Sequence, residues 1–165
     1  FSVNAAFREH SVLLNLKYKF EFNLKQLNNF TKSLVSKIQK SDIILLEGEL
    51  GSGKTTFARL LIKNLYILNK LHPPNIISSP SYPILQIYSI KNFSIYHYDL
   101  YRIKHSQEIV EMGFEENFKN NISIIEWPEK ILPFISSFDS IKINMIILNN
   151  GNRILEINSG NIDII

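Results

Sequence analysis

The residues best suited to chemistry lie in one short stretch, residues 48–55, whose sequence GELGSGKT fits the pattern G-x-x-x-x-G-K-[ST]. Glycines in such a stretch can adopt positive φ and carry no side chain, so successive backbone N–H groups can converge on a phosphate. Lys54 then supplies a cation to the outer phosphates, and Thr55 offers a hydroxyl to Mg²⁺. The stretch predicts a nucleotide-binding phosphate loop.

The segments on either side of this loop support the same interpretation. Residues 43–46 are apolar, as in a buried strand, and apolar residues recur at helical spacing over 57–68. A strand, a glycine loop and a helix in this order form the context in which the motif binds phosphate. The alternative is a chance glycine turn between a core strand and a core helix. The predicted nucleotide-binding residues of this segment are Glu49, Leu50, Gly51, Ser52, Gly53, Lys54, Thr55 and Thr56.

Two acidic residues follow apolar, strand-like runs further along the chain. Asp99 comes after residues 93–98, and Glu126 comes after residues 122–125. A nucleotide-bound Mg²⁺ is usually held by one or two carboxylates and several waters, close to the loop hydroxyl. If both strands neighbour the strand before the loop, both carboxylates can face the ion, and we favour this reading. The alternative is that each is a strand-end acid in solvent.

Three serines lie in a proline-rich segment, residues 71–83, which we predict to be a loop. Hydroxyls of Ser78, Ser79 and Ser81 could approach the terminal phosphate or its attacking water, as in a switch segment. Ordinary turn residues are the alternative explanation for the same composition.

His97, Trp127 and two arginines are the remaining candidates. A histidine in a strand is more typical of a structural residue, and Trp127 either stacks on a ligand or is a half-buried aromatic. Arg59 and Arg102 are candidates for a cation that stabilises the transition state, although a helix-surface ion pair also accounts for Arg59. If the chain lacks a catalytic arginine and a water-positioning glutamine, hydrolysis by the chain alone is expected to be slow.

Hydrophobic periodicity distributes these residues over alternating strands and helices. We predict a single domain over residues 1–165, with 1–16 as an N-terminal extension of unknown role. The predicted architecture is α/β, a three-layer fold of the P-loop NTPase type with a small mixed sheet. The predicted strands are 17–22, 43–46, 84–88, 93–98, 122–125, 140–148 and 153–158. The predicted helices are 24–38, 54–69, 106–112 and 115–119, with a further one beginning near residue 129.

The composition limits the classes of site and compartment. The 165 residues include no cysteine, which excludes disulfides and thiolate metal sites and fits the reducing cytosol. The formal net charge of +3 permits contact with nucleic acid but does not argue for it. No apolar stretch approaches the ~20 residues needed to span a bilayer, so we expect no membrane contact.

Four blocks of the sequence resemble a known family: EGELGSGKTTF at 47–57, SPSY at 79–82, HYDLYR at 97–102 and IIEWPE at 124–129. In their order and spacing they resemble the bacterial TsaE (YjeE-type) ATPases, which take part in making threonylcarbamoyladenosine in tRNA. The first block is shared by many NTPases, whereas the last two are more specific. The resemblance covers roughly residues 24–129.

The resemblance implies a cytoplasmic ATPase that uses ATP and Mg²⁺ and joins a complex with TsaD-type and TsaB-type subunits. ATP turnover would reset or activate the TsaD-type threonylcarbamoyl transferase, and tRNA would be contacted indirectly, through the complex. By motif, Thr55 and Glu126 would hold the metal, and Trp127 would help shape the nucleotide or partner surface. The catalytic residues implied are Lys54, Ser81, Asp99 and Glu126.

Two departures from the family pattern concern hydroxyl groups. Ser81 stands where the family usually has threonine, so the hydroxyl is kept and a methyl group is lost. Pro83 stands where a second threonine is common, so any hydroxyl role there is lost.

Two other functions remain open at this stage. A small P-loop kinase acting on a metabolite would need a mobile, arginine-bearing lid, and no arginine-rich insertion follows the core strands. A nucleotide-dependent switch without useful turnover would act by ordering residues 71–83 on a partner. No base-reading motif separates ATP from GTP, so the choice of ATP comes from the resemblance.

Overall fold

The computed structural model describes residues 17–159, which form one seven-stranded sheet covered by helices. The predicted extension, residues 1–16, lies outside this range. Within residues 17–159, no helix is both long enough and apolar enough to cross a bilayer. The strands are β1 (Lys17–Phe22), β2 (Ile43–Glu47), β3 (Leu85–Ile90), β4 (Phe93–Asp99), β5 (Ile122–Glu126), β6 (Ser140–Ile147) and β7 (Arg153–Asn158). The helices are α1 (Leu24–Leu34), α2 (Lys54–Leu68), α3 (Ser106–Glu111) and α4 (Phe114–Phe118).

The sheet is mixed, with strand order β1-β7-β6-β2-β5-β4-β3. Strand β2 runs parallel to both β5 and β6, and β4 runs parallel to β5. The outer pairs β3–β4, β6–β7 and β1–β7 are antiparallel. Because parallel strands point the same way, the carboxyl ends of β2, β5 and β4 lie along one edge of the sheet. This is the edge at which ligands bind in open α/β sheets.

The central strands are buried on both faces, which explains their almost continuous apolar sequence. Ile44 and Leu46 of β2 pack in a core with residues of α1 and α2. Ile43 and Leu45 face the opposite way and pack with residues of α3 and α4. The sheet therefore has a helical layer on each side, which confirms the predicted α/β architecture.

Two of the predicted helices differ in the structure. Helix α1 ends at Leu34 instead of residue 38, because the N–H groups of Ser36 and Lys37 bond to carbonyls three residues earlier and tighten the chain into turns. The helix predicted near residue 129 is replaced by two 3₁₀ turns, Pro128–Lys130 and Leu132–Phe134. A proline inside the second turn lacks the N–H that a longer helix would need.

Candidate functional site

The loop that joins β2 to α2 contains three glycines with positive φ. Gly48, Gly51 and Gly53 have φ of 135°, 80° and 108°. A Cβ atom at Gly48 would lie 2.4 Å from the carbonyl oxygen of Met145, so only glycine fits there. Helix α2 begins directly after Gly53, so its unpaired N–H groups and the positive end of its dipole lie at the loop.

The Lys54 side chain is buried and folds back over the loop. Its Nζ donates to the carbonyl oxygens of Gly48 and Glu49 at 2.7 and 2.9 Å and lies 3.8 Å from the centre of a Trp127 ring. Burial lowers the pKa of Lys54, while the negative charge of Glu126 opposes that shift. The groups that accept hydrogen bonds from Nζ are neutral carbonyl oxygens. A buried ammonium with neutral partners favours the binding of an anion.

A chain of hydrogen bonds links the first turn of α2 to the end of β5. The Thr55 hydroxyl donates to Oε2 of Glu126 at 2.8 Å. The other oxygen, Oε1, lies 2.8 Å from Nε2 of His97 on β4. Both His97 and Glu126 are almost fully buried. The carboxylate is therefore held from both sides, with one oxygen facing the phosphate-loop helix.

A second chain of hydrogen bonds joins the proline-rich loop to the end of β4. The Ser81 hydroxyl lies 2.7 Å from that of Ser79 and donates to Oδ2 of Asp99 at 2.5 Å. The other carboxylate oxygen of Asp99 accepts the backbone N–H of Tyr101 at 3.1 Å. Asp99 is only 4% exposed, so it is not a strand-end acid in free solvent.

The sheet register brings the two acids together, although only one of their strands borders β2. Asp99 and Glu126 are paired residues of the parallel strands β4 and β5. Strand β5 neighbours β2, whereas β4 lies one strand further out. Side chains alternate along strands, so both acids share the face that carries Ile95, Ile124 and helix α2. The condition that both strands neighbour β2 is therefore met by β5 and not by β4, yet both acids line the same pocket.

These groups surround an open pocket of about 270 Å³ at the carboxyl edge of the sheet. Most of the residues predicted to bind nucleotide or metal line this pocket, and Tyr101 lines it as well. Its ring centre lies 4.8 Å from that of Trp127, which is half-buried beside the pocket. The lining residues are Leu50, Gly51, Gly53, Lys54, Thr55, Thr56, Ser81, Asp99, Tyr101, Glu126 and Trp127.

Several predicted residues do not line this pocket. The Glu49 side chain is exposed, and Ser52 is buried with its hydroxyl 3.5 Å from Nζ of Lys54. Arg59 donates through Nε to the carbonyl of Ile77. Arg102 lies over the ring of Tyr82 at 5.1 Å, and both side chains are exposed.

Residues 22–155 match the family model described as "Threonylcarbamoyl adenosine biosynthesis protein TsaE". The chain belongs to the TsaE family. The match extends beyond the four motif blocks, from the last residue of β1 through the phosphate loop and β6 to the first three residues of β7.

Individual relatives agree with the family model. The chain is 44% identical over 137 residues to the tRNA threonylcarbamoyladenosine biosynthesis protein TsaE of Rickettsia typhi, covering 83% of this chain and 91% of the relative. It is 34% identical over 145 residues to the protein of the same name from Borreliella burgdorferi, covering 87% and 98%. Among solved structures, Bacillus subtilis YdiB matches with a TM-score of 0.64 and 21% identity, covering 92% of this chain and 89% of YdiB. At that identity the likeness concerns the fold alone.

Two residues near the TsaE pocket were not predicted to act there. Arg153, the first residue of β7, donates from Nε to the Ser52 carbonyl at 3.1 Å and from a terminal nitrogen to the Gly51 carbonyl at 3.3 Å. Through these two hydrogen bonds the guanidinium group fixes the carbonyl groups of the loop, which point towards it. The position of His97 in a strand is typical of a structural residue, but its contact with Glu126 connects it to the pocket. Neither contact has a local sequence signal, because each partner is distant along the chain.

Proposed function

We propose that this chain is the ATP-binding and ATP-hydrolysing subunit of the complex that makes threonylcarbamoyladenosine in tRNA. Its turnover resets or activates the threonylcarbamoyl transferase of that complex. The observation that carries the proposal is the 2.8 Å hydrogen bond between Thr55 and Glu126, in a wall of the pocket that also contains Lys54. Membership of the TsaE family and the names of the relatives indicate the pathway. A cytoplasmic location follows from a role in tRNA modification.

Nucleotide binding rests on the loop, Lys54 and the aromatic side chains beside them. Backbone N–H groups of the loop and of the first turn of α2 bind the phosphates, because they have no partner within the helix. Lys54 exchanges its neutral partners for phosphate oxygens, a stronger, charge-assisted interaction. Trp127 and Tyr101 line the same pocket and supply aromatic rings for contact with the nucleotide.

The donor set at the loop fits Mg²⁺. Because Thr55 donates its proton to Glu126, the lone pairs of its oxygen stay available to a cation. No group of three or more acidic or histidine ligands exists in residues 17–159, so phosphate and water oxygens complete the set, as is usual for Mg²⁺. Thr55 and Glu126 would hold the ion, which when bound neutralises charge on the outer phosphates.

Hydrolysis requires a water molecule placed in line with the terminal phosphate. The water oxygen bonds to the γ-phosphorus as the bond to the bridging oxygen breaks, releasing ADP and inorganic phosphate, and the proton lost by the water passes to a phosphate oxygen or to solvent. Asp99 accepts a hydrogen bond from this water and is itself held by Ser81 and by the N–H of Tyr101. Ser81 belongs to the proline-rich loop, so this hydrogen bond couples that loop to the Asp99 carboxylate.

Turnover by the chain alone is expected to be slow. No arginine of residues 17–159 lines the pocket, and Arg59, Arg102 and Arg153 each have other contacts. A cation supplied by a partner typically adds ~10³-fold or more to the rate of phosphoryl transfer. We therefore assign the missing cation to the TsaD-type and TsaB-type subunits.

The proposal predicts ATP hydrolysis that depends on those partners. The measurement is phosphate release from ATP by the purified chain alone, and again with purified TsaD-type and TsaB-type subunits. We expect a slow basal rate and a stimulation of at least about tenfold, because the partners complete the catalytic charge. The Lys54→Ala variant in the same complex controls for contaminating ATPases. No stimulation by the partners, or several turnovers per second by the chain alone, would contradict the proposal.

A nucleotide-dependent switch without useful turnover is the second candidate. It is favoured by the hydroxyl chain from Ser79 through Ser81 to Asp99, which connects the proline-rich loop to the pocket without requiring hydrolysis. A variant that binds nucleotide but does not hydrolyse it separates the two candidates, because only the switch would keep the complex active.

A further inference from the structure

His97 forms a buried pair with Glu126 at the side of the pocket. It lies in the middle of β4, where its register partner on β5 is Ile124. Glu126 is two residues further along β5 on the same face, so the two side chains are diagonal neighbours. Their atoms Nε2 and Oε1 lie 2.8 Å apart, and the side chains are 0% and 2% exposed.

The imidazole has no other polar contact in the described part of the chain. Its second nitrogen, Nδ1, is buried without a hydrogen-bond partner among residues 17–159. Burying an unpaired polar atom is unfavourable, and an apolar side chain between the neighbouring isoleucines would avoid that cost. Core packing alone therefore does not explain a histidine at this position. What a side chain of this length and polarity adds is the contact with Glu126.

We propose that His97 is a positioning residue for Glu126, fixing which carboxylate oxygen faces the nucleotide site. With Nε2–H donating to Oε1, the carboxylate cannot rotate, and Oε2 remains directed at Thr55. Neighbouring groups that orient a ligand typically change metal affinity or activity ~10–100-fold when they are removed. The inference rests on the proposed function, since it assigns the orientation of Glu126 to the binding of Mg²⁺ with nucleotide.

The test compares two amides that differ in length by one methylene group. In His97→Gln the amide nitrogen reaches about as far as Nε2 and can donate to Glu126, whereas in His97→Asn it cannot. Each full-length variant is titrated with the ATP analogue AMPPNP, once with Mg²⁺ and once with EDTA. Fluorescence of Trp127, the single tryptophan of the chain, reports binding because its ring lines the pocket. The quantity compared is the ratio of the affinity in Mg²⁺ to the affinity in EDTA.

We expect His97→Asn to lower this ratio at least about tenfold and His97→Gln to keep it within about threefold of the unaltered chain. Affinities in EDTA should be the same for all three proteins, since a purely structural defect would lower both affinities together. His97→Leu, which packs without donating, replaces the Asn variant if that variant does not fold. An unchanged ratio in the variant that cannot donate would overturn this inference but not the proposed function. An equal loss of affinity with and without Mg²⁺ would do the same. If the unaltered chain shows no dependence on Mg²⁺, the proposed function itself fails.

Discussion

Replacing Lys54 with alanine should abolish measurable ATP binding. Among residues 17–159, Lys54 is the only lysine that lines the pocket. Burial has already removed most of the hydration of its ammonium group. Charge-assisted hydrogen bonds contribute ~1.5–3 kcal/mol each, so losing two of them lowers affinity by at least about 100-fold. Isothermal titration calorimetry with Mg²⁺ and AMPPNP measures the effect without relying on Trp127, whose ring contacts Lys54.

The variant needs two controls, since Lys54 also donates to the loop carbonyls of Gly48 and Glu49. Lys63→Ala removes an exposed ammonium from the same helix and should leave affinity unchanged. Lys54→Met keeps an unbranched side chain of similar length but removes the charge, and it should bind as poorly as the alanine variant. A folded Lys54→Ala protein that binds the nucleotide within threefold of the unaltered chain would exclude this lysine as the phosphate ligand.

Changing Glu126 to glutamine should stop hydrolysis while leaving nucleotide binding in EDTA intact. Glutamine keeps the shape of the side chain and one oxygen that can accept from Thr55, and His97 can pair with an amide by changing its tautomer. What is lost is a negative charge beside the loop threonine. Loss of a single electrostatic group at a site of phosphoryl transfer commonly costs ~10²–10³-fold in turnover. The readout is ATP hydrolysis in the presence of the partner subunits.

Glu129→Gln is the matched control for this variant. Glu129 is exposed and does not line the pocket, yet its charge also acts on Lys54. If Glu126 acts only by adding negative charge near the lysine, the two variants should behave alike. If it acts as the metal-side carboxylate, only Glu126→Gln should fail. A Glu126→Gln complex that still makes threonylcarbamoyladenosine through repeated cycles, without hydrolysing ATP, would favour the switch.

The parts of this protein that could be predicted from sequence are those with local signals. The phosphate loop has glycine, lysine and threonine at fixed spacing, and Asp99 and Glu126 each end an apolar run. The hairpins β3–β4 and β6–β7 follow from short connections between alternating runs. Each of these features depends on residues close together in the chain, where hydrophobic periodicity and turn chemistry act directly.

The parts that could not be predicted depend on strand order and register. Placing β5 between β2 and β4 determines that Glu126, and not Asp99, lies beside the phosphate-loop strand. The same register brings His97 to Glu126, 29 positions away, and the position of β7 brings Arg153 to Ser52, 101 positions away. No local pattern specifies such contacts, because they arise only when separate segments pack in one sheet.

The most direct test is a crystal structure of the chain with Mg²⁺ and AMPPNP. We expect the triphosphate to bind the N–H groups of residues 48–56, with Nζ of Lys54 in contact with the outer phosphates. We also expect a cation in contact with the Thr55 hydroxyl and on the Glu126 side of the pocket. A nucleotide bound elsewhere, or a cation held away from both Thr55 and Glu126, would contradict this expectation.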